Sequence, residues 1–275
     1  MLTASLVASV RCVQDAYYGD HSKGFFAVYD GHGGARCSSY AAQNLHDLIM
    51  KHNYTEHPQL ALQEGFKDLD HHWLEIANLN GWDDGSTAIS VLIVNKILYV
   101  ANVGDSRAVL CSAQGRAVDM SADHKPARED EKSRIEKLGG RIIHYGTWRV
   151  QGVLAVTRAF GDRRLKAYVS AEPEIKSWPL GEGDDFLILA SDGVWDVLSS
   201  QAAVDIVRQA VAESAGEANP AQMSGGVDAG NGAGGSLSSG GGDVKDAARR
   251  LTNAAYSYHS MDNITSMVID LRQFR

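Results

Sequence analysis

Two apolar runs separated by only two residues constrain the fold of this chain more than any other feature. Residues 86–94 read STAISVLIV and residues 97–103 read ILYVANV, with Asn95 and Lys96 between them. Runs rich in β-branched residues and joined by so short a connection are typical of a β-hairpin, in which the two strands are antiparallel. The sequence therefore predicts antiparallel sheet in the middle of the chain.

Helices and further strands surround this hairpin in the sequence. Additional strands are predicted at residues 107–112 (RAVLCS), 185–190 (DFLILA) and 263–271 (NITSMVIDL). This order has no regular βαβ alternation, so it predicts an α+β layered domain rather than a doubly wound parallel sheet. Apolar residues at helical spacing predict helices at residues 34–51, 58–80, 127–138, 200–213 and 244–257.

The composition excludes several classes of function. The chain has 275 residues, 44% of them hydrophobic, and its formal net charge of −8 is accompanied by no clustered basic stripe, which argues against nucleic acid as a partner. Three widely separated cysteines give neither a metal-binding nor a disulfide pattern. We therefore expect an intracellular protein of the cytoplasm or nucleus, a monomer with no membrane partner.

Two segments contribute little to the predicted core. The first ten residues, MLTASLVASV, lack a basic region and are too short to cross a bilayer, so they are interpreted as an edge strand or a processed end. Residues 225–242 are half glycine and have almost nothing to bury. We expect one domain over residues 1–275, with a flexible insertion at about 214–243.

An aspartate followed by glycines ends one of the apolar runs. Residues 25–34 read FFAVYDGHGG, in which a run typical of a buried strand leads into Asp30. The glycines allow backbone conformations closed to other residues. A carboxylate at this place is either a turn residue that bonds its own backbone or a ligand that points into a cleft.

The same pattern of strand and aspartate recurs elsewhere in the chain. Asp192 follows the apolar run in LILASDG, and Asp105 lies one glycine beyond the strand in YVANVGDS. Asp262 precedes the last predicted strand, so the order there is inverted. If that strand is antiparallel to its neighbours, its beginning lies where the others end. All four carboxylates could then share one rim of the sheets.

Carboxylates gathered at one rim repel one another unless a cation neutralises them. No set of His and Cys residues at ligand spacing accompanies them, so oxygen ligation of Mg²⁺ or Mn²⁺ is favoured over zinc or copper. Two such ions about 3.5 to 4 Å apart can activate water and clamp a phosphoryl group. The pattern indicates phosphate ester hydrolysis, with loop-forming roles for the aspartates as the alternative.

Eight motifs along the chain resemble one known family. They are VYDGHGG, DDGSTAISVLI, VANVGDSRAVL, SADHKP, GTWRVQGVLAVTRAFGD, AEPEI, LASDGVWDVLS and MDNITSMVIDL. In this order they resemble the type 2C family of metal-dependent serine/threonine protein phosphatases. The resemblance implies an αββα sandwich, in which two antiparallel sheets pack face to face between outer helices, with a metal pair in a cleft at one end.

The resemblance also implies a role for each aspartate of the rim. Asp30 corresponds to the carboxylate shared by both ions, and Gly31 to the residue that gives a backbone carbonyl to one of them. Asp192 and Asp262 correspond to ligands of the other ion. Asp105 corresponds to a residue associated with a weaker third metal site in some members.

Four further residues take roles from the resemblance. His32 corresponds to the candidate general acid that protonates the leaving seryl or threonyl oxygen, and Asp15 to a position that often acts on the metals through water. Arg11 is the candidate phosphate clamp, although it lies four residues before Asp15 where the family usually has five. Gln14 replaces a glutamate that in many members helps to hold one ion, so we expect a weakened metal site.

Other motif residues are interpreted as structural. Arg158, Asp162 and His124 are expected to organise loops rather than to contact substrate. The stretch IIHYGTWRVQG resembles the flap beside the cleft, so its Tyr145 and Trp148 are candidates for partner contact, with packing as the alternative.

The resemblance implies a phosphatase that hydrolyses phosphoserine and phosphothreonine in phosphorylated protein substrates by direct attack of metal-activated water. One alternative is an inactive member that binds a kinase or phosphoprotein as a scaffold, because Gln14 and the spacing of Arg11 depart from the family pattern. The other is a hydrolase of a different phosphate ester, which should lack the eight motifs.

Overall fold

The computed structural model describes residues 9–15, 22–214 and 244–275, and in 9–15 the backbone alone. The predicted flexible insertion therefore falls outside the described residues, as do the first eight residues of the apolar N-terminal segment. None of the described helices is both long enough and apolar enough to cross a membrane.

The first sheet contains seven antiparallel strands and includes the predicted hairpin. Its order is β10-β3-β2-β4-β5-β11, with β1 pairing with β2. Val94 pairs with Ile97 across the hairpin, and Asn95 and Lys96 both have positive φ, as the tight connection requires. The strands of this sheet are β1 (Ser9–Asp15), β2 (Gly24–His32), β3 (Gly85–Ser86), β4 (Ala88–Val94), β5 (Ile97–Val103), β10 (Phe160–Gly161) and β11 (Glu174–Pro179).

The second sheet has four antiparallel strands in the order β13-β12-β6-β7. It contains the three further strands that the sequence predicts, each within a few residues of the predicted bounds. These strands are β6 (Arg107–Ser112), β7 (Arg116–Asp119), β12 (Phe186–Ala190) and β13 (Ser266–Asp270). A separate two-stranded hairpin pairs β8 (Ile142–Tyr145) with β9 (Thr147–Val150).

The helices lie close to their predicted positions. The longest begins with a proline at its first position, where the missing N–H costs nothing, and ends at Gly81, which has a left-handed φ of 69°. The predicted cap of the last helix, Asp243, lies outside the described residues. The helices are α1 (Arg36–Met50), α2 (Pro58–Asn80), α3 (Glu129–Lys137), α4 (Asp192–Trp195), α5 (Ser200–Ser214) and α6 (Val244–Ser257).

Strand β2 is buried on both faces, which explains its continuous apolar run. Phe25 and Tyr29 pack against α1 and α2, whereas Phe26 and Val28 point the other way, into a core shared with Leu187 of the second sheet. A third core joins the outer face of the second sheet to α5 and α6. The predicted αββα sandwich is confirmed.

The topology brings several strand ends to one edge of this sandwich. Because β2 and β5 are both antiparallel to β4, they end at the same edge of the first sheet. The backbone N–H of Thr87 donates to the carbonyl of Asp30 at 2.9 Å, and its hydroxyl lies 2.9 Å from that of Ser106. In the second sheet Ala190 pairs with Ser266, so the end of β12 lies beside the beginning of β13.

Candidate active site

The segments that carry Asp192 and Asp262 are held together by a small hydrogen-bond network. The Ser191 hydroxyl donates to the carbonyl of Asn263 at 2.9 Å and accepts from the backbone N–H of Thr265 at 3.1 Å. A Cβ on Gly193 would lie 2.4 Å from the Asn263 carbonyl oxygen, so only glycine allows this approach. Asp192 and Asp262 therefore flank a fixed junction at the end of the second sheet.

Asp30 reaches the same region from the first sheet. Strand β2 is buried through Tyr29 and half-buried from Asp30 to His32, so Asp30 lies where the strand leaves the core, as predicted. The strand continues to His32, however, because Gly31 and His32 pair with Ser86 and Gly85 of β3. The glycine-rich turn begins only after His32.

The four aspartates of the predicted rim act on one another electrostatically. Burial raises the pKa of Asp192 to about 8, reinforced by the charges of Asp105, Asp30 and Asp262, and Lys125 only partly offsets this. The structure thus brings all four carboxylates into one region. Their mutual repulsion is the cost that a bound cation would relieve.

A lysine amine lies beside two carboxylates of this region. Lys125 donates to the carboxylate of Asp105, and its Nζ lies 3.7 Å from Oδ2 of Asp192. Among the described residues, no three His, Cys, Asp or Glu side chains stand close enough to enclose a metal ion in this arrangement. Yet Oδ1 of Asp192 is buried without a hydrogen-bond partner in the described part of the chain. An oxygen-only donor set with one unsatisfied buried oxygen fits a hard divalent cation.

His124 fixes the loop that carries Asp105, in line with its predicted structural role. The backbone N–H of Gly104 donates to Nδ1 of His124 at 3.2 Å, and the backbone N–H of His124 donates to the Gly104 carbonyl at 2.9 Å. Burial, together with the charge of Arg158, lowers the pKa of His124 to about 4. The neutral ring can therefore accept at Nδ1, with its proton on Nε2, which lies 3.2 Å from Glu174.

His32 is bound to a residue that sequence analysis interpreted as loop-forming. Its Nε2 lies 2.9 and 2.8 Å from the two carboxylate oxygens of Asp162. Burial lowers the pKa of His32, but the hydrogen bond and charge of Asp162 outweigh it, so the net shift is upward. Asp162 is thus a site residue that the sequence did not reveal. In the structure Gly85 pairs with both His32 and Gly161, which brings the neighbouring Asp162 to His32. The strands that make these pairs have only two residues each, so no periodicity in the sequence reveals them.

Arg158 has the structural surroundings expected of it. Its guanidinium donates to Oε1 of Glu131 at 2.6 Å and to the carbonyl of Glu172 at 2.9 Å. Glu131 is buried, which raises its pKa, but hydrogen bonds from Arg158, Arg134 and Thr157 outweigh burial and hold the pKa well below its usual range. This network ties α3 to the segment before β10.

Strand β1 does not bring all of its predicted site residues to the rim. Its register pairs Ser9 with Asp30 and Asp15 with Gly24. Because β1 is antiparallel to β2, only its first residues lie near the cleft, and Asp15 stands about 20 Å along the strand from Asp30, at roughly 3.3 Å per residue. This register places the backbone of Asp15 and Gln14 away from Asp30, and the metal roles of both residues stay predictions. The backbone of Arg11 pairs with Val28, two residues before Asp30.

Comparison with known proteins agrees with this geometry. The sequence profile of the family described as "Protein phosphatase 2C" matches residues 9–264. The chain belongs to the protein phosphatase 2C family. It is 42% identical over 251 residues to "Probable protein phosphatase 2C 52" of Oryza sativa and 41% identical over 247 residues to "Probable protein phosphatase 2C 59" of Arabidopsis thaliana. These alignments cover 91% and 90% of the chain, but 45% and 69% of the two relatives.

Solved structures of other proteins have the same fold. A C. elegans sex-determining protein superposes with a TM-score of 0.81 at 26% identity, covering 98% of this chain and 62% of that one. The serine-threonine phosphatase 2C of Toxoplasma gondii gives a TM-score of 0.74 at 20% identity over 95% and 94% of the two chains, which supports the fold alone. The chain is thus similar over nearly its whole length to one domain, while some relatives extend well beyond it.

Proposed function

We propose that this member of the protein phosphatase 2C family hydrolyses phosphoserine and phosphothreonine in protein substrates at a site for two Mg²⁺ or Mn²⁺ ions. The observation that carries the proposal is the meeting of Asp30, Asp105, Asp192 and Asp262 at one end of the sandwich. A buried oxygen of Asp192 there has no partner among the described residues. Such an arrangement is costly for a protein that binds no cation.

Asp30, Asp192 and Asp262 are the residues that would hold the two ions, with the carbonyl of Gly31 as a further ligand. When bound, the ions supply Lewis-acid activation of an attacking water and neutralise charge on the phosphoryl group. The hydrogen bonds around Ser191 hold the backbone segments of Asp192 and Asp262 together, so ion binding would require movement of side chains rather than of these segments.

His32 would hold the proton that the leaving seryl or threonyl oxygen requires. Asp162 fixes its ring and favours the protonated form, which suits a proton donor near neutral pH. Arg11 is proposed as the phosphate clamp, because a guanidinium can bind two phosphate oxygens. No cysteine is needed in this scheme, and Cys37 and Cys111 are both buried.

The test is hydrolysis of a phosphothreonine peptide with Mn²⁺, with EDTA, and by Asp192→Asn. We expect activity with Mn²⁺ that is abolished by EDTA and reduced by about 10² or more in Asp192→Asn. The matched control is Asp205→Asn, which removes a carboxylate from the exposed face of α5 and should keep full activity. Activity that is equal in all conditions, or absent in all, would reject the proposal.

The scaffold alternative makes a different prediction for the same samples. An inactive member that binds a phosphoprotein should bind the phosphothreonine peptide with Mn²⁺ but release no phosphate. We further propose that the chain acts as a monomer in the cytoplasm or nucleus, to be checked by light scattering and cell fractionation. One relative, 42% identical over 245 residues, is named as mitochondrial, so fractionation should include that organelle.

A further inference from the structure

Lys125 is a cation placed among the carboxylates of the rim. Its amine donates to Asp105 and lies 3.7 Å from Oδ2 of Asp192. The Asp105 side chain is 6% exposed and that of Lys125 is 38% exposed, so a partly exposed amine neutralises a buried carboxylate. The carboxylates of Asp105 and Asp192 thus share one positive charge, that of the Lys125 amine.

The backbone holds Lys125 and Asp105 in this relationship. Each is adjacent in sequence to one partner of the reciprocal hydrogen bonds between His124 and Gly104. The carbonyl of Lys125 also accepts from the backbone N–H of Arg128 at 3.0 Å, which fixes the following turn. The ion pair is therefore built into the site rather than made by two flexible surface side chains.

An ammonium group and a divalent ion seek the same oxygens, and they repel each other. At contact distances two like charges repel each other, and they do so more strongly near a protein surface than in bulk water. A metal ion that binds Asp105 must therefore displace the amine of Lys125 or tolerate its charge. In either case the ion binds more weakly than the carboxylates alone would allow.

We infer that Lys125 is an internal competitor for metal at Asp105, which keeps the most weakly held ion of the site in exchange with the solvent. The inference rests on the proposed function, together with the weaker third metal site that the family resemblance implies at Asp105, and adds a regulatory element to them. While free metal is scarce, Lys125 neutralises Asp105 and Asp192. As the metal concentration rises, the amine gives way to the ion.

The test measures Mn²⁺ binding to the full chain by two methods: calorimetry and the electron paramagnetic resonance signal of free Mn²⁺. For Lys125→Gln, we expect the dissociation constant of the weakest Mn²⁺ site to fall about tenfold or more. Lys125→Arg keeps the charge and should resemble the wild type. The matched control is Lys67→Gln, which removes an exposed amine 3.7 Å from Glu64 on helix α2.

The same change in an Asp105→Asn background separates competition from a general effect on the fold. If Lys125 acts through Asp105, Lys125→Gln should not increase the affinity for Mn²⁺ in the Asp105→Asn variant. An unchanged weakest site in Lys125→Gln, or a gain that persists with Asp105→Asn, overturns the inference while leaving the proposed function intact. If the wild type binds no Mn²⁺, the proposed function fails and this inference with it. Circular dichroism checks folding, and Lys125→Met replaces Lys125→Gln if that variant does not fold.

Discussion

Both carboxylate oxygens of Asp162 lie within hydrogen-bond distance of Nε2 of His32, at 2.8 and 2.9 Å. Asp162 itself adopts a left-handed conformation with φ of 52°, and its backbone N–H donates to the carbonyl of Asp84 at 3.2 Å. A non-glycine residue in this conformation is uncommon and persists where the surroundings impose it. We interpret Asp162 as a positioning residue that acts on substrate through His32.

Asp162→Asn is expected to lower kcat by an amount that depends on the leaving group of the substrate. Hydrolysis of a phosphothreonine peptide needs a proton on the departing alkoxide, so we expect kcat to fall about tenfold or more. p-Nitrophenyl phosphate has a leaving group that needs no proton, and its kcat should change far less. Asp83→Asn, which removes a half-exposed carboxylate paired with Arg163, is the control. Equal losses on both substrates would show that Asp162 has a merely structural role.

Gly85→Ala is expected to separate His32 from Asp162. A Cβ at this position would lie 2.3 Å from both Oδ2 of Asp162 and Nε2 of His32, so the two side chains must move apart. We expect the same preferential loss of phosphothreonine hydrolysis, together with a free energy of unfolding lower by about 1 to 3 kcal/mol. Gly181→Ala is the matched control, since its nearest neighbouring atom would be 3.7 Å away. Wild-type kinetics in Gly85→Ala would contradict the proposed contact.

The buried His124 should make the fold sensitive to mild acid. Burial and Arg158 lower its pKa to about 4, so between the unfolded pKa of about 6.5 and this value the unfolded chain binds a proton that the folded chain does not. His124 alone should therefore lower the free energy of unfolding with decreasing pH, at up to about 1.4 kcal/mol per pH unit, whereas the raised pKa values of Asp192 and His32 act in the opposite direction. Urea unfolding of the wild type and of His124→Asn between pH 7 and 5 gives the contribution of His124 as the difference between the two slopes.

The His124→Asn variant tests whether His124 causes this pH dependence of the free energy of unfolding. His124→Asn is expected to be less stable than the wild type at pH 7 and to recover part of this difference as the pH falls to 5, whereas His57→Asn, at an exposed histidine, should keep the wild-type slope. The same slope in His124→Asn and in the wild type would assign the effect to other groups.

Asp192→Asn should stabilise the metal-free protein although it removes activity. Burial and three neighbouring carboxylates oppose the charge of Asp192, and asparagine removes that charge at nearly constant volume. In EDTA we expect the free energy of unfolding to rise by about 1 kcal/mol or more. Mn²⁺ should raise the melting temperature of the wild type but have much less effect on the variant. Destabilisation of the variant in EDTA would contradict the repulsion described at the rim.

The parts of this structure that the sequence predicts well are those fixed by local chemistry. Helix α2 runs from Pro58 to Asn80 as predicted, because its apolar spacing, initial proline and terminal glycine all lie within the segment. The hairpin at Asn95 and Lys96 is equally local. The recurring aspartates after strands also indicated the rim before any family was considered.

The parts that the sequence did not predict depend on distant residues. His32 meets Asp162 across 130 positions, through the two-residue strands β3 and β10. The register of β1 on β2, which carries Asp15 away from Asp30, depends on pairing that its composition does not determine. The position of Lys125 is not predicted either, because no periodicity in the sequence distinguishes it from other lysines in loops.

The carboxylates of the rim are divided between the two sheets of the sandwich. Asp30 extends from the first sheet, Asp192 follows a strand of the second, and Asp105 lies in the connection between the sheets. A divalent ion held by Asp30 and Asp192 would therefore cross-link the layers at their open end, as a disulfide bond does in smaller proteins. Metal occupancy should then slow amide hydrogen exchange in β2 and β12 together. The cation would contribute to the mechanical cohesion of the domain as well as to its chemistry.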